Sequence, residues 1–221
     1  MAKCFEHNTT YFWNEGKVNL HDCLRISFEA AKSHDVTKIV IFTGIGEGVR
    51  AAFDNFLSLE EYQHIKVVAV TFPHGHPHPH DISEEDCAWM KANSIPLIRA
   101  HLPFDPIRAQ YQGHGILGQD FSLIGNVIGI FGGGMSLAVQ AVLMACDAGE
   151  VKKGEHVISL TSDTSILVRS APTSHLLTDF IVRETFCKAV FMDISKKESG
   201  LTLDAGSQAT IDAETPKLLE D

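Results

Sequence analysis

Lys38-Ile-Val-Ile-Phe-Thr-Gly-Ile-Gly-Glu-Gly-Val-Arg-Ala-Ala52 decides how this chain is read. Ile39 to Phe42 form an unbroken apolar run, the pattern of a strand buried on both faces in a parallel sheet. Thr43 to Gly48 then turn the backbone. Val49, Ala52, Phe53 and Phe56 follow at helical spacing. A strand, a glycine turn and a helix in this order aim backbone N–H groups from the positive end of a helix dipole, which suits a phosphate or carboxylate. The amides of Gly46 to Gly48 and the hydroxyl of Thr43 are the expected donors. The same glycines are also what a plain turn needs where φ is positive. The spacing is G-x-G-x-G, and the next strand ends at Thr71 with no acid to hold a ribose, so a dinucleotide fits less well. Glu47 lies inside the loop and repels a dianion unless it faces solvent.

Outward from this stretch, apolar runs alternate with helical stripes. Leu20, Leu24, Phe28 and Ala31 mark a helix over 20–33, and residues 66–71 form a second buried strand. Ser83-Glu-Glu-Asp86 resembles a capping box and opens a helix to about Asn93. Pro96 to His101 is a short strand, and residues 104–112 read as helix. Gly132 to Gly134 lead into a helix ending near Ala148, with Gly149 at the position after its C-cap. Residues 155–161, 167–169 and 188–193 supply the last apolar runs. Tyr11-Phe12-Trp13 belongs to a segment packed on the domain. This alternation predicts an α/β three-layer sandwich with a mainly parallel, mixed sheet. Residues 1–195 are expected to form one domain and 196–221 a loose polar tail.

The 221 residues carry 18 Lys and Arg against 28 Asp and Glu, a formal charge of −10, so nucleic acid and anionic membranes are not expected partners. No apolar run reaches the ~18 residues needed to span a bilayer. Five scattered cysteines without a CxxC pair suggest reduced thiols, and no signal peptide is recognisable, so a cytoplasmic location is expected.

Two further patterns carry chemistry. His74, His76, His78 and His80 lie within seven residues, interleaved with prolines and followed by Asp81. Imidazoles at this density suit a divalent metal, with Asp81 or Asp86 as a third ligand type, and imply a metal-dependent enzyme as one reading. An exposed, proline-stiffened loop is the other. His74 or His76 against a bound ligand needs no metal, because the loop follows a strand's carboxyl end. Phe131-Gly132-Gly133-Gly134-Met135-Ser136 permits either close approach of a flat ligand or close packing of a helix on the sheet. Arg169 is placed to pair with a phosphate or with Asp163, and Arg183-Glu184 reads as a surface or interface ion pair.

Several of these patches are collinear with one family. Tyr11-Phe12 with Glu15, the strand ending in Thr43-Gly44, and the strand ending in Thr71 before a His/Gly loop come first. Phe131-Gly-Gly-Gly-Met-Ser-Leu-Ala-Val-Gln-Ala-Val-Leu-Met-Ala-Cys-Asp-Ala-Gly149 is similar to the F-G-Q-G-x-K-V-x-x-E-I-x-x-M-A-x-D-A-G pattern of stand-alone proteins related to the pyruvate kinase C-terminal domain. Gly154-Glu-His-Val-Ile158 and Arg183-Glu184 with Cys187-Lys188 continue the resemblance, which covers residues 11–192 or so. It implies a mixed α/β sheet without the kinase active site, and a first strand–helix loop that grips a phosphate. It also implies flavin mononucleotide (FMN), which some relatives carry. The implied phosphate loop is Thr43, Gly44, Ile45, Gly46, Glu47 and Gly48. The implied pocket walls are Thr71, Phe72, His74 and Gly75; Phe131, Gly132, Gly133, Gly134 and Ser136; and Thr161, Asp163 and Thr164. Gly133 and Ser136 replace the pattern's Gln and Lys, and Leu160-Thr-Ser-Asp-Thr164 is about four residues shorter than the relatives' glycine-rich stretch. A regulatory or assembly role, and a homo-oligomer, follow from the same likeness.

Overall fold

A computed structural model describes residues 6–75, 81–104, 124–125 and 127–189. The continuous apolar runs become the sheet centre: β2 (Lys38–Phe42), β3 (Lys66–Thr71) and β5 (His156–Leu160), with β2 hydrogen-bonded in parallel to both others. Strand β4 (Leu97–Arg99) extends this side in parallel with β3. On the other side β6 (Ser165–Arg169) returns antiparallel to β5 and is followed by β7 (Ile181–Ala189). The edge is β1 (Thr10–Phe12), parallel to β7, so the order is β1-β7-β6-β5-β2-β3-β4. Among the described strands β6 alone runs against the rest. The result is the expected α/β sandwich with a mixed, mainly parallel sheet.

Alternation along each strand divides the core into two layers. Ile39, Ile41, Val67, Ala69, Ile158 and Leu160 face α1 (Leu20–Ser33), α2 (Glu47–Ala52) and α3 (Glu84–Ala92). Val40, Phe42, Val68, Val70 and Val157 face α4 (Gly133–Asp147), a helix so apolar that it is buried along most of its length. On α1 the expected stripe holds, with Leu24, Phe28 and Ala31 at 0% exposure. Ser83 caps α3 as expected, its hydroxyl accepting from the Asp86 amide at 3.0 Å. Gly149, at φ +82°, ends α4 in the left-handed conformation.

Two expectations change. The 11–13 segment contributes a strand, β1. The last described strand is Ile181–Ala189, which begins before the 188–193 run and overlaps it at Lys188 and Ala189; residues 190–193 lie outside the described part. The helix expected over 104–112 lies outside it too, apart from Phe104, as do the boundary at 195 and the tail. Among the described residues no helix is long and apolar enough to cross a membrane.

Candidate functional site

The glycine loop leaves β2 at its carboxyl end. Gly46 takes φ +94°, a left-handed conformation that β-carbon-bearing residues avoid, and so points Glu47 back over the loop. The Thr43 hydroxyl accepts from the Gly46 amide at 3.0 Å and donates to Glu47 Oε2 at 3.2 Å. Ile45 N–H donates to the same oxygen at 3.1 Å. The other carboxylate oxygen, Oε1, stands 2.8 Å from Lys17 Nζ. Burial pushes the Glu47 carboxyl up, but Lys17 and the amides of Glu47 itself and Ile45 outweigh it and hold the group below its usual range. The loop is therefore an anion cradle whose anion is its own side chain. Of the expected donors, the Gly46 amide bonds to Thr43 Oγ1 and the Thr43 hydroxyl to Glu47, both within the loop.

A cavity of about 210 Å³ opens beside this carboxylate. Thr43, Gly44, Glu47 and Gly48 meet Phe42 and Phe72 there, together with Thr161 and Ser162 from the β5–β6 turn. Lys17, Leu20 and Leu137 complete it. It lies at the carboxyl ends of parallel strands, where open α/β sheets place ligands. Ser162 falls inside the expected Thr161–Thr164 wall, whereas Lys17, Leu20 and Leu137 escaped sequence reading as site residues. They come from other elements, and nothing in their local sequence marks them.

The remaining expected residues do other work. Thr71 is buried and reaches toward the Gly44 carbonyl. His74 is 89% exposed at the side chain, with Nδ1 2.7 Å from Asp81 Oδ2, so it and Gly75 turn away from the cavity. Arg99 also binds Asp81 and, foremost among its partners, lowers that carboxyl. His76, His78 and His80 lie outside the described residues. Among those described, no three His, Cys, Asp or Glu gather closely enough to hold a metal.

At Gly134 the close-packing requirement is explicit. A β-carbon there would stand 2.3 Å from Thr164 Oγ1 and 2.4 Å from Thr161 Oγ1, so this glycine lets α4 pack on the sheet. Gly132, at φ +123°, starts that helix, Gly133 is its first residue, and Ser136 accepts from Gln140 within it. Phe131 lines a different cavity. Thr164 and Asp163 are buried. Asp163 accepts from Gly16 N–H at 2.7 Å and Thr164 Oγ1 at 3.1 Å, which ties the segment after β1 to the β5–β6 turn. Arg169 sits opposite His156, at the far end of β6 from Asp163. Arg183 and Glu184 do not pair. Glu184 lies 3.5 Å from both His7 Nδ1 and His34 Nε2.

No protein-family model matches the chain. Among solved structures, a Cryptosporidium parvum pyruvate kinase aligns with 72% of this chain and 24% of its own, at 11% identity and a TM-score of 0.34. A second crystal structure of a pyruvate kinase from that organism aligns with 64% of this chain and 20% of its own, at 12% identity and a TM-score of 0.32. A third, in complex with ADP, aligns with 76% and 23%, at 9% identity and 0.31. The chain thus spans about a quarter or less of each of these enzymes, and the likeness to pyruvate kinase is distant and partial.

Proposed function

We propose that the chain binds a compact phosphate-bearing small molecule at the 43–48 loop, with FMN as the leading form. One observation carries this reading. A carboxylate already rests on the Ile45 amide and the Thr43 hydroxyl, with Lys17 opposite. Donors that hold one oxyanion suit another, and a phosphate offers more acceptor oxygens and charge. Binding is an exchange: Glu47 swings out, and the phosphate takes its donors and the Lys17 ammonium. The exchange also removes the negative charge that would repel a dianion. The cavity of about 210 Å³ is below the ~300–1,000 Å³ usual for small-molecule sites. It therefore takes the phosphate and its linker, leaving a flavin ring at the mouth against Phe72 and Leu137.

Titrations of FMN, ribose 5-phosphate and riboflavin into wild type, Glu47→Ala and Lys17→Ala test this. Glu47→Ala is expected to bind both phosphates at least tenfold more tightly than wild type, and Lys17→Ala more weakly. Riboflavin, lacking the phosphate, is expected to bind poorly to all three. Equal affinity for riboflavin and FMN, or no phosphate binding by Glu47→Ala at millimolar concentration, removes the reading.

A further inference from the structure

A second and larger cavity, about 640 Å³, lies on the α4 side of β7, away from the glycine loop. Its walls are hydrocarbon: Ile124, Ile128, Met135, Val139, Leu176 and Phe180. These side chains offer no hydrogen-bond partner, so a ligand with polar groups along its body would lose them to burial. The volume is that of a small-molecule site. The mouth is apolar as well, with Phe131 55%, Leu177 84% and Val182 41% exposed, more apolar surface in one place than isolated exposed side chains explain.

Along β7 the lining turns polar, with Arg183, Glu184 and Thr185, and of the two charged residues Arg183 is the one left without a counter-ion among the described residues. Opposite β6, Val182 pairs with Val168 and Glu184 with Leu167, which leaves Arg183 as the extra residue of a β-bulge. Bulges re-aim side chains. Arg183 is exposed, lines the cavity, and has no hydrogen-bond or ion-pair partner among the described residues. Glu184 does not neutralise it, because its carboxylate is turned to His7 and His34, next to Phe186 in the α1 layer. A guanidinium above a hydrocarbon pocket matches a molecule with one anionic head and an unbranched apolar body. We propose that this cavity binds a linear alkyl carboxylate, with its chain between α4 and the 176–180 segment and its head on Arg183. This inference is independent of the phosphate reading, since the two sites share no lining residue.

Decanoate and 1-decanol share a chain and differ in the head, so isothermal titration of both into wild type, Arg183→Met and Arg183→Glu separates the contributions. Wild type is expected to bind decanoate at least tenfold more tightly than decanol. Arg183→Met should remove that tenfold preference and leave decanol unchanged, and Arg183→Glu should prefer decanol. Both substitutions fall at an exposed position, and circular dichroism checks their fold. Methyl chemical shifts of Val139 and Leu176 should move on addition of decanoate. Equal affinity for the two ligands in wild type, shifts confined to other residues, or no binding at 1 mM decanoate overturns the proposal. So does sedimentation showing the apolar mouth closed in a dimer that decanoate does not dissociate.

Discussion

Gly134 carries two opposed effects whose sizes can be compared. Alanine is the better helix former by about 1 kcal/mol. Its methyl group, however, would overlap the buried hydroxyls of Thr161 and Thr164, and overpacking of this kind costs about 1–3 kcal/mol or more. Both threonines are held in a tight turn, so the clash wins. Gly134→Ala is expected to lower stability by about 1–2 kcal/mol net, read from the urea midpoint. At Glu47 the sign runs with pH. Its folded carboxyl titrates below the unfolded value of about 4.3, so its contribution is complete above that value and is lost as pH falls through the lowered folded one. Removing Lys17 should raise the Glu47 midpoint in a side-chain NMR titration; an unchanged midpoint would mean the loop amides alone hold the carboxylate.

At the level of elements, α2 and α3 are joined by one side chain. Arg50 donates from Nε to Asp86 Oδ1 at 2.9 Å, and its guanidinium lies 4.0 Å from the centroid of the Trp89 ring. Arg50→Met keeps much of the stem's packing and removes both charge contacts. The expected loss is about 1–2 kcal/mol, with a change in Trp89 fluorescence as a second readout. What was legible at this scale follows from period. Strands β2 and β3 are buried on both faces and read as unbroken apolar runs, and Ser83 announces its cap through Asp86 three positions on. Strand β7 is hard to read because its bulges fall at Arg183 and Phe186, so alternation is interrupted twice in nine residues. The β5–β6 connection is equally quiet. Thr161 N–H bonds to the Thr164 carbonyl at 2.9 Å, closing a hairpin over Ser162-Asp163, with no glycine to announce the turn. Of the site, Thr43 to Gly48 could be read locally. Lys17 and Leu137 could not, because only the completed sheet brings them to the loop.

For the molecule as a whole, the lowered carboxyls act together. Asp86 is held down first by the Ser83 hydroxyl and then by Arg50, and Asp179 by Lys153, in the same sense as Glu47 and Asp81. Each contributes above its unfolded value near 4 and less below it. The urea midpoint, as far as these groups govern it, should hold steady from neutral pH to about 5 and fall below about 4. The described cysteines are all reduced, but their accessibility differs. Cys23 and Cys187 have no exposed surface, with their sulfurs 3.5 Å apart, and the bond from Cys187 together with burial raises the Cys23 thiol well above its usual range. Iodoacetamide should therefore label Cys87 first in the native protein, Cys146 more slowly because burial raises its thiol, and Cys23 and Cys187 only in urea. Early native labelling of the buried pair would show that the contact between α1 and β7 opens.

The sheet seats its first strand against its last. The Thr9 hydroxyl binds the carbonyl of Thr185, 176 residues onward, and among the described residues β1 pairs with Cys187, Lys188 and Ala189 alone. On a ribosome adding ~5–20 residues per second, the opening segment waits on the order of ten to thirty seconds for its neighbour to be made. The nascent protein must keep Tyr11 and Phe12 from straying onto other surfaces while the rest of the sheet assembles.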